Sequence, residues 1–213
     1  MDANVKTARK FSKKCRILMA ESNNSKILQS SFYEIDILEI GGHHKGKRGK
    51  DSENKQPTLL ILSTLEDNNY PQYVKLHTLP NYKGEPIEEY LKEKCLFDPT
   101  IVINCDRDKA FFCLNKLAQL ENSVVDYTKE NHKLKWLNTF IGNIQSNINH
   151  LYRLVKKRDL PLFLSEQEWR INHRYSGKRI MDKVKKYISM STPVTFKQIT
   201  NSVLAYEKQF LSA

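Results

Sequence analysis

Three apolar runs rich in β-branched residues crowd the first eighty positions: FYEIDILEI (32–40), TLLILSTL (58–65) and QYVKLHT (72–78). Beyond them, strand and helix patterns alternate. The first run sets Ile35, Ile37 and Ile40 against Glu34, Asp36 and Glu39, an imperfect period-two alternation. Between the first and second runs, GGHHKGKRGKDSENKQP holds no apolar side chain and reads as a long solvated hairpin loop. In EPIEEYLKEKC, Pro86 is tolerated in a first helical turn, and Ile87, Tyr90, Leu91 and Cys95 share one face. TIVINC (100–105) is a fourth strand, followed by DRDKAFFCLNKLAQL, a second helix with Asp106 as its N-cap. SVVDY (123–127) reads as a fifth strand. After about His132 the chain reads helical, with Trp136, Phe140, Ile144 and Ile148 at 3.6 spacing and a break at Pro161. The expected order is βββαβαβ and then helices.

Length and charge narrow the class further. A chain of 213 residues with 39% hydrophobic side chains can bury one core. No apolar run approaches the roughly 18 to 20 residues that span a bilayer, and the N-terminus lacks the apolar core of a secretory signal. Cys15, Cys95, Cys105 and Cys113 lie far apart without a CxxC pair, so neither a disulfide framework nor a zinc site is expected, and the compartment is read as reducing and intracellular. Net charge is +11 and the sequence pI is near 9.4. The surplus is patchy. One patch lies within residues 1–32 (Lys6, Arg9, Lys10, Lys13, Lys14, Arg16, Lys26). Another lies within 150–190 and includes Arg153, Lys156, Lys157, Arg170 and Arg174. Several cationic patches on one chain point to a polyanion, and nucleic acid is the expected partner. Lys45, Lys47, Arg48 and Lys50, spaced by glycines, suit phosphate contacts. His43 and His44 have no third ligand nearby and are assigned no metal role, while Trp136 and Trp169 are read as core.

A three-strand meander followed by crossover helices and parallel strands is the order of the ribonuclease H-like α/β fold. In that fold strands one and four are neighbours. Asp36 in the middle of the first and Asp106 just past the end of the fourth would then converge, and two carboxylates can share hard divalent cations for phosphoryl transfer. Each has an ordinary role as well: Asp106 as a helix cap, Asp36 as a solvent-facing strand residue. Glu34 shares the face of Asp36 and is an auxiliary acid candidate; Glu39 does not share it.

The residues around these carboxylates resemble a known family. YEIDILEIGG (33–42) is similar to the VEIDETYIGG motif of bacterial insertion-sequence transposases of the DDE superfamily, the ISXO2-like, Merlin-related branch. A basic glycine-rich loop follows, here HHKGKRGK, and then Lys-x-Pro, here Lys55 to Pro57. IVINCDRDKAF resembles the segment with the second Asp, and FLSEQEWRINHR (163–174) resembles a helix reading YLDEFAFRFNRR. The likeness covers roughly residues 32–188. It implies a core that nicks and rejoins DNA with Mg²⁺ or Mn²⁺ held by Asp36 and Asp106. It also implies double-stranded transposon ends as substrate, and further copies of the chain, a homodimer or higher, assembled on that DNA. Arg170 and Arg174 match family arginines and are read as DNA contacts, with pairing to Glu166 as the alternative.

Two departures from the family accompany the likeness. Family members carry a third acid, or Asn, in a motif like HTNTIEGFWSxxK; here LNTFIGNIQSNIN (137–149) places Ile141 or Gly142 at the acid position, and Asn143 is taken as the substitute ligand. Only about 31 residues precede the first strand, where the family usually has a zinc ribbon and a helix-turn-helix. The expected organisation is a basic arm (1–31), a ribonuclease H-like core (32–190) and a helical tail (191–213). The expected function is metal-dependent DNA cleavage and strand transfer with impaired activity; the alternative is a non-catalytic, domesticated DNA-binding relative.

Overall fold

The computed structural model describes residues 4–41, 55–64, 70–106, 108–122, 134–151, 155–177, 179–190 and 195. In chain order the elements are α1 (Val5–Asn24), β1 (Phe32–Gly41), β2 (Lys55–Thr64), β3 (Pro71–Thr78), α2 (Gly84–Lys94) and β4 (Val102–Cys105). A 3-10 helix (Lys109–Lys116), β5 (Gln119–Asn122) and α3 (Lys135–Ser146) follow, the last running into a π-helical turn (Asn147–Leu151). The chain ends its described course with α4 (Leu160–Asn172) and α5 (Arg179–Met190). Packing divides these elements into two compact units, Lys26–Val155 and Met1–Ser25 together with Lys156–Ala213.

The first unit is a five-stranded sheet in the order β3-β2-β1-β4-β5. β1 pairs antiparallel with β2, and β2 with β3, while β1–β4 and β4–β5 are parallel. Together with its helices this is the ribonuclease H-like arrangement expected from the sequence. Burial of apolar side chains on both sheet faces explains why β2 reads as a continuous run rather than an alternation. On one face, Tyr33, Ile35, Leu59, Ile61, Ile103 and Cys105 pack with Ile87 and Leu91 of α2 and with Phe111 and Leu114 of the 3-10 helix. On the other, α3 lies against β1 and β2 and buries Leu137, Phe140 and Ile144.

Three local expectations are corrected. The second helix is a 3-10 helix capped by Asp108, whose Oδ1 accepts from Ala110 N at 3.1 Å. Asp106 instead accepts from Asp108 N at 2.9 Å, a local turn that leaves it at the strand end. The fifth strand is Gln119–Asn122, because Leu117 and Ala118 close the 3-10 helix early and Gln119 N bonds to Ile101 O; SVVDY lies outside the described residues. Pro161 opens α4 from its first turn, where its missing N–H costs nothing.

In the second unit the basic N-terminal segment is a twenty-residue helix, capped by Asn4 Oδ1 on Lys6 N at 2.9 Å. α1 packs on α4. Arg16 Nε donates to Glu166 Oε2 at 2.7 Å with its guanidinium 3.9 Å over the Phe163 ring, and Asn23 Nδ2 donates to Ser165 O at 2.9 Å. Of the segment expected as a helical tail, residues 191–194 and 196–213 lie outside the described residues.

Two glycines separate packing from propensity. A Cβ at Gly84 would lie 2.8 Å from Cys113 Sγ and 2.9 Å from Ala110 O, so the start of α2 needs glycine to approach the 3-10 helix. Gly142 in the middle of α3 has open space around that position. Gly84→Ala is expected to lower the urea midpoint by the equivalent of about 1–3 kcal/mol through overpacking. Gly142→Ala should raise it by about 0.5–1 kcal/mol through lower backbone entropy in the unfolded chain.

Candidate active site

The β1–β4 ladder carries the candidate site. Glu34 pairs with Asn104 and Ile35 with Cys105 in parallel register, and one step further the same register sets Asp36 beside Asp106. Neighbouring strands are about 4.8 Å apart, so two carboxylates side by side are within reach of a shared ion. Glu34, Asp36, Asn104 and Asp106 alternate away from Ile35 and Cys105, which face the α2 side, so all four belong to the face that α3 covers. Asp36 and Asp106 are half-buried. Asp36 Oδ1 also accepts from Ile37 N at 2.7 Å. Burial foremost, then Asp106 and then Asp36, push the Cys105 thiol up to about 12, an electrostatic sign that both carboxylates crowd the same strand end.

Below the pair lies a buried polar layer. Glu34 is 1% exposed, and its Oε2 accepts from Leu137 N at 3.3 Å. Burial raises its carboxyl to about 7, against the opposing pull of that N–H. Asn104 Oδ1 and Asn138 Nδ2 are buried with no hydrogen-bond partner among the described residues. Such orphans mark a site that protein atoms alone do not complete. Glu39 faces the other way, held by Tyr82 Oη at 2.8 Å and paired with Lys55.

α3 climbs alongside β1, with Leu137 N at Glu34 and Gln145 Nε2 at Glu39 O, so its middle residues, Phe140 to Gly142, pass at the level of Asp36. Asn143 is exposed and, at about 100° per residue, lies on the same flank as Trp136. Trp136 packs edge-on to Tyr70 at the start of β3, so that flank is turned from β4, and the substitution expected at Asn143 does not suit a site at Asp106. Asn138 and half-buried Ile141 occupy the opposite flank.

The other expected residues divide between the two units. Lys45, Lys47, Arg48 and Lys50, His43 and His44, and Arg153 lie outside the described residues. Lys156 and Lys157 are exposed in the helical unit. Arg170 pairs with Glu166 at 3.4 Å, the alternative set against DNA contact. Arg174 donates to Ile171 O at 3.0 Å, and its guanidinium sits 4.5 Å over the Tyr175 ring. Trp169 is buried, as expected of core. The polar layer was missed, although an Asn inside the otherwise apolar strand VINC was its visible signal.

A family model for the ISXO2-like transposase domain matches residues 32–172. The chain belongs to this family. It is therefore a member of the DDE superfamily of insertion-sequence transposases, enzymes that act on DNA and generally use divalent metals. The match begins at the expected Phe32 and stops at Asn172, short of Ile188. No curated protein matches the chain. Among the described residues no helix is long and apolar enough to cross a membrane, and no group of three or more His, Cys, Asp or Glu side chains is placed to hold a metal ion.

Glu34 gives the transposase fold a pH signature. Its folded-state value of about 7 lies above its ordinary 4.5, so the folded state binds the proton more tightly. That stabilisation is complete below the unfolded value and is lost as pH rises through about 7. In EDTA, unfolding free energy should fall between those limits by up to about 1.4 kcal/mol per pH unit. Glu34→Gln should flatten the slope, and an unchanged slope would show that Glu34 titrates normally.

Proposed function

We propose that this chain cleaves and transfers DNA strands by divalent-metal phosphoryl transfer, with Asp36 and Asp106 as the ligand pair and a metal site weakened by loss of the third acid. The observation that carries this reading is the parallel register that sets Asp36 beside Asp106 on one sheet face. The donor set fits Mg²⁺ or Mn²⁺: hard carboxylate oxygens, half-buried, with an orphaned amide oxygen nearby. When bound, such ions stabilise the attacking and leaving oxygens of an in-line displacement. Asp36 and Asp106 hold them, and Glu34, buried and proton-retaining, keeps surplus negative charge away from the layer beneath. Ile141 occupies the helix position where the family's acid stands, and Asn138 is the α3 amide on that flank, in place of Asn143.

Double-stranded DNA carrying transposon ends is the substrate, bound by more than one copy of the chain inside the cell. Lys45, Lys47, Arg48, Lys50, Arg153, Lys156 and Lys157 contact its phosphates and position it without reading sequence. Arg170 and Arg174 are left out because Glu166 and the Ile171 carbonyl engage them. A second reading, a DNA-binding protein without catalysis, is favoured by the absence of a three-acid cluster among the described residues. Its binding would survive EDTA and weaken with salt at a log-log slope of about −0.9 per phosphate neutralised.

Nicking of donor-end DNA in Mn²⁺ separates the two. The native chain should nick, and Asp36→Ala and Asp106→Ala should each lose at least about 100-fold, the scale of several kcal/mol of charge stabilisation. Equal nicking by all three rules out the catalytic reading. Ile141→Glu should tighten Mn²⁺ binding, measured by calorimetry, and raise nicking.

A further inference from the structure

The helical unit contains an apolar cleft of about 250 Å³, lined by Cys15 and Leu18 of α1, Trp169 of α4, and Val184, Tyr187 and Ile188 of α5. Its rim is open: Tyr187 is 38% exposed, Ile188 42%, and Phe11, one turn before Cys15 on α1, 59%. Leaving such side chains in water forgoes about 1.5–3 kcal/mol each. Its wall holds a second, independent sign of a missing occupant. Trp169 is 2% exposed, yet its Nε1 has no hydrogen-bond partner among the described residues. Whatever completes the cleft must therefore bring both an apolar stripe and an oxygen acceptor.

The end of this chain has that chemistry. In FKQITNSVLAYEKQFLSA (196–213), Phe196, Ile199, Val203, Tyr206 and Phe210 recur at alternating spacings of three and four, one stripe of a helix, and Thr200, Ser202 and Gln209 carry side-chain oxygens. The short stretch STPVT (191–195) separates it from α5, whose last turns, at Tyr187 and Ile188, already form the cleft rim. Pro193 stops α5 from simply continuing. We propose that residues 196–213 fold back as an amphipathic helix into this cleft, turning the α1–α4–α5 unit into a four-helix bundle and closing over Trp169. This goes beyond the catalytic reading and does not depend on it.

The full-length chain tests this, with Cys15 thiol reactivity toward an aromatic disulfide reagent measured in a Cys113→Ser background, because Cys95 and Cys105 are buried. The double variant Val203→Glu/Phe210→Glu should react at least about tenfold faster, with a red-shifted Trp169 emission in a Trp136→Phe background. Asn201→Glu, on the opposite side of the segment, should leave both readouts unchanged. Excess peptide 196–213 should restore protection to the double variant. Equal Cys15 reactivity in native and double-variant chains overturns the proposal. So does protection that rises with protein concentration, which would identify a second copy as the occupant.

Discussion

The parallel pairing of β1 with β4 is the constraint on which the site depends. Both strands end in the same short pattern, a polar residue, an apolar one and an aspartate: Glu34-Ile35-Asp36 and Asn104-Cys105-Asp106. Apolar burial enforces the register. Ile35 and Cys105, with Tyr33 and Ile103, belong to the core beneath α2, and a slip of one residue would turn that whole set outward. The aspartates are therefore aligned by hydrophobic packing on the opposite face. A carboxylate pair that water would hold apart is kept together because the core leaves it no other register.

The electrostatics of the pair explain why the third position matters. Two carboxylates on adjacent strands repel, and the crowding is already visible in the raised Cys105 thiol. Divalent ions relieve that repulsion, while a third carboxylate would add both attraction for the ions and repulsion in their absence. With Ile141 in its place, α3 presents apolar surface at that level, which stabilises packing against the sheet and weakens the grip on cations. Glu34, buried and proton-retaining near neutral pH, shows how the layer beneath tolerates acid without further charge.

The helical unit follows different physics. α1 and α4 are joined by an ion pair and a cation-π contact at Arg16, with Glu166 shared between Arg16 and Arg170. The basic composition that suggested nucleic acid is thus partly spent on internal structure. Lys13 near Asp159 at 3.6 Å is another example, while Lys156 and Lys157 remain exposed. Charge counted along a sequence overstates the charge available to a partner whenever acids from another element fold against it.

The sequence alone determined the strand order, the helix–strand alternation after β3 and the identity of Asp36 and Asp106, because period-two and 3.6-residue patterns report which face each residue turns inward. It placed β1, β3 and α2 within two residues and put Glu39 on the face away from Asp36. It misjudged the element after β4, because whether Asp106 or Asp108 caps a helix depends on a turn of two residues, beyond the resolution of periodicity. It chose Asn143 over Asn138, because an amide's usefulness depends on which flank of α3 faces β4, and only the packing of Trp136 on Tyr70 fixes that rotation. The buried polar layer of Glu34, Asn104 and Asn138 was likewise a tertiary decision. Each of these side chains is unremarked in its own segment, and only contact between strands and helices seventy or a hundred positions apart removes them from water.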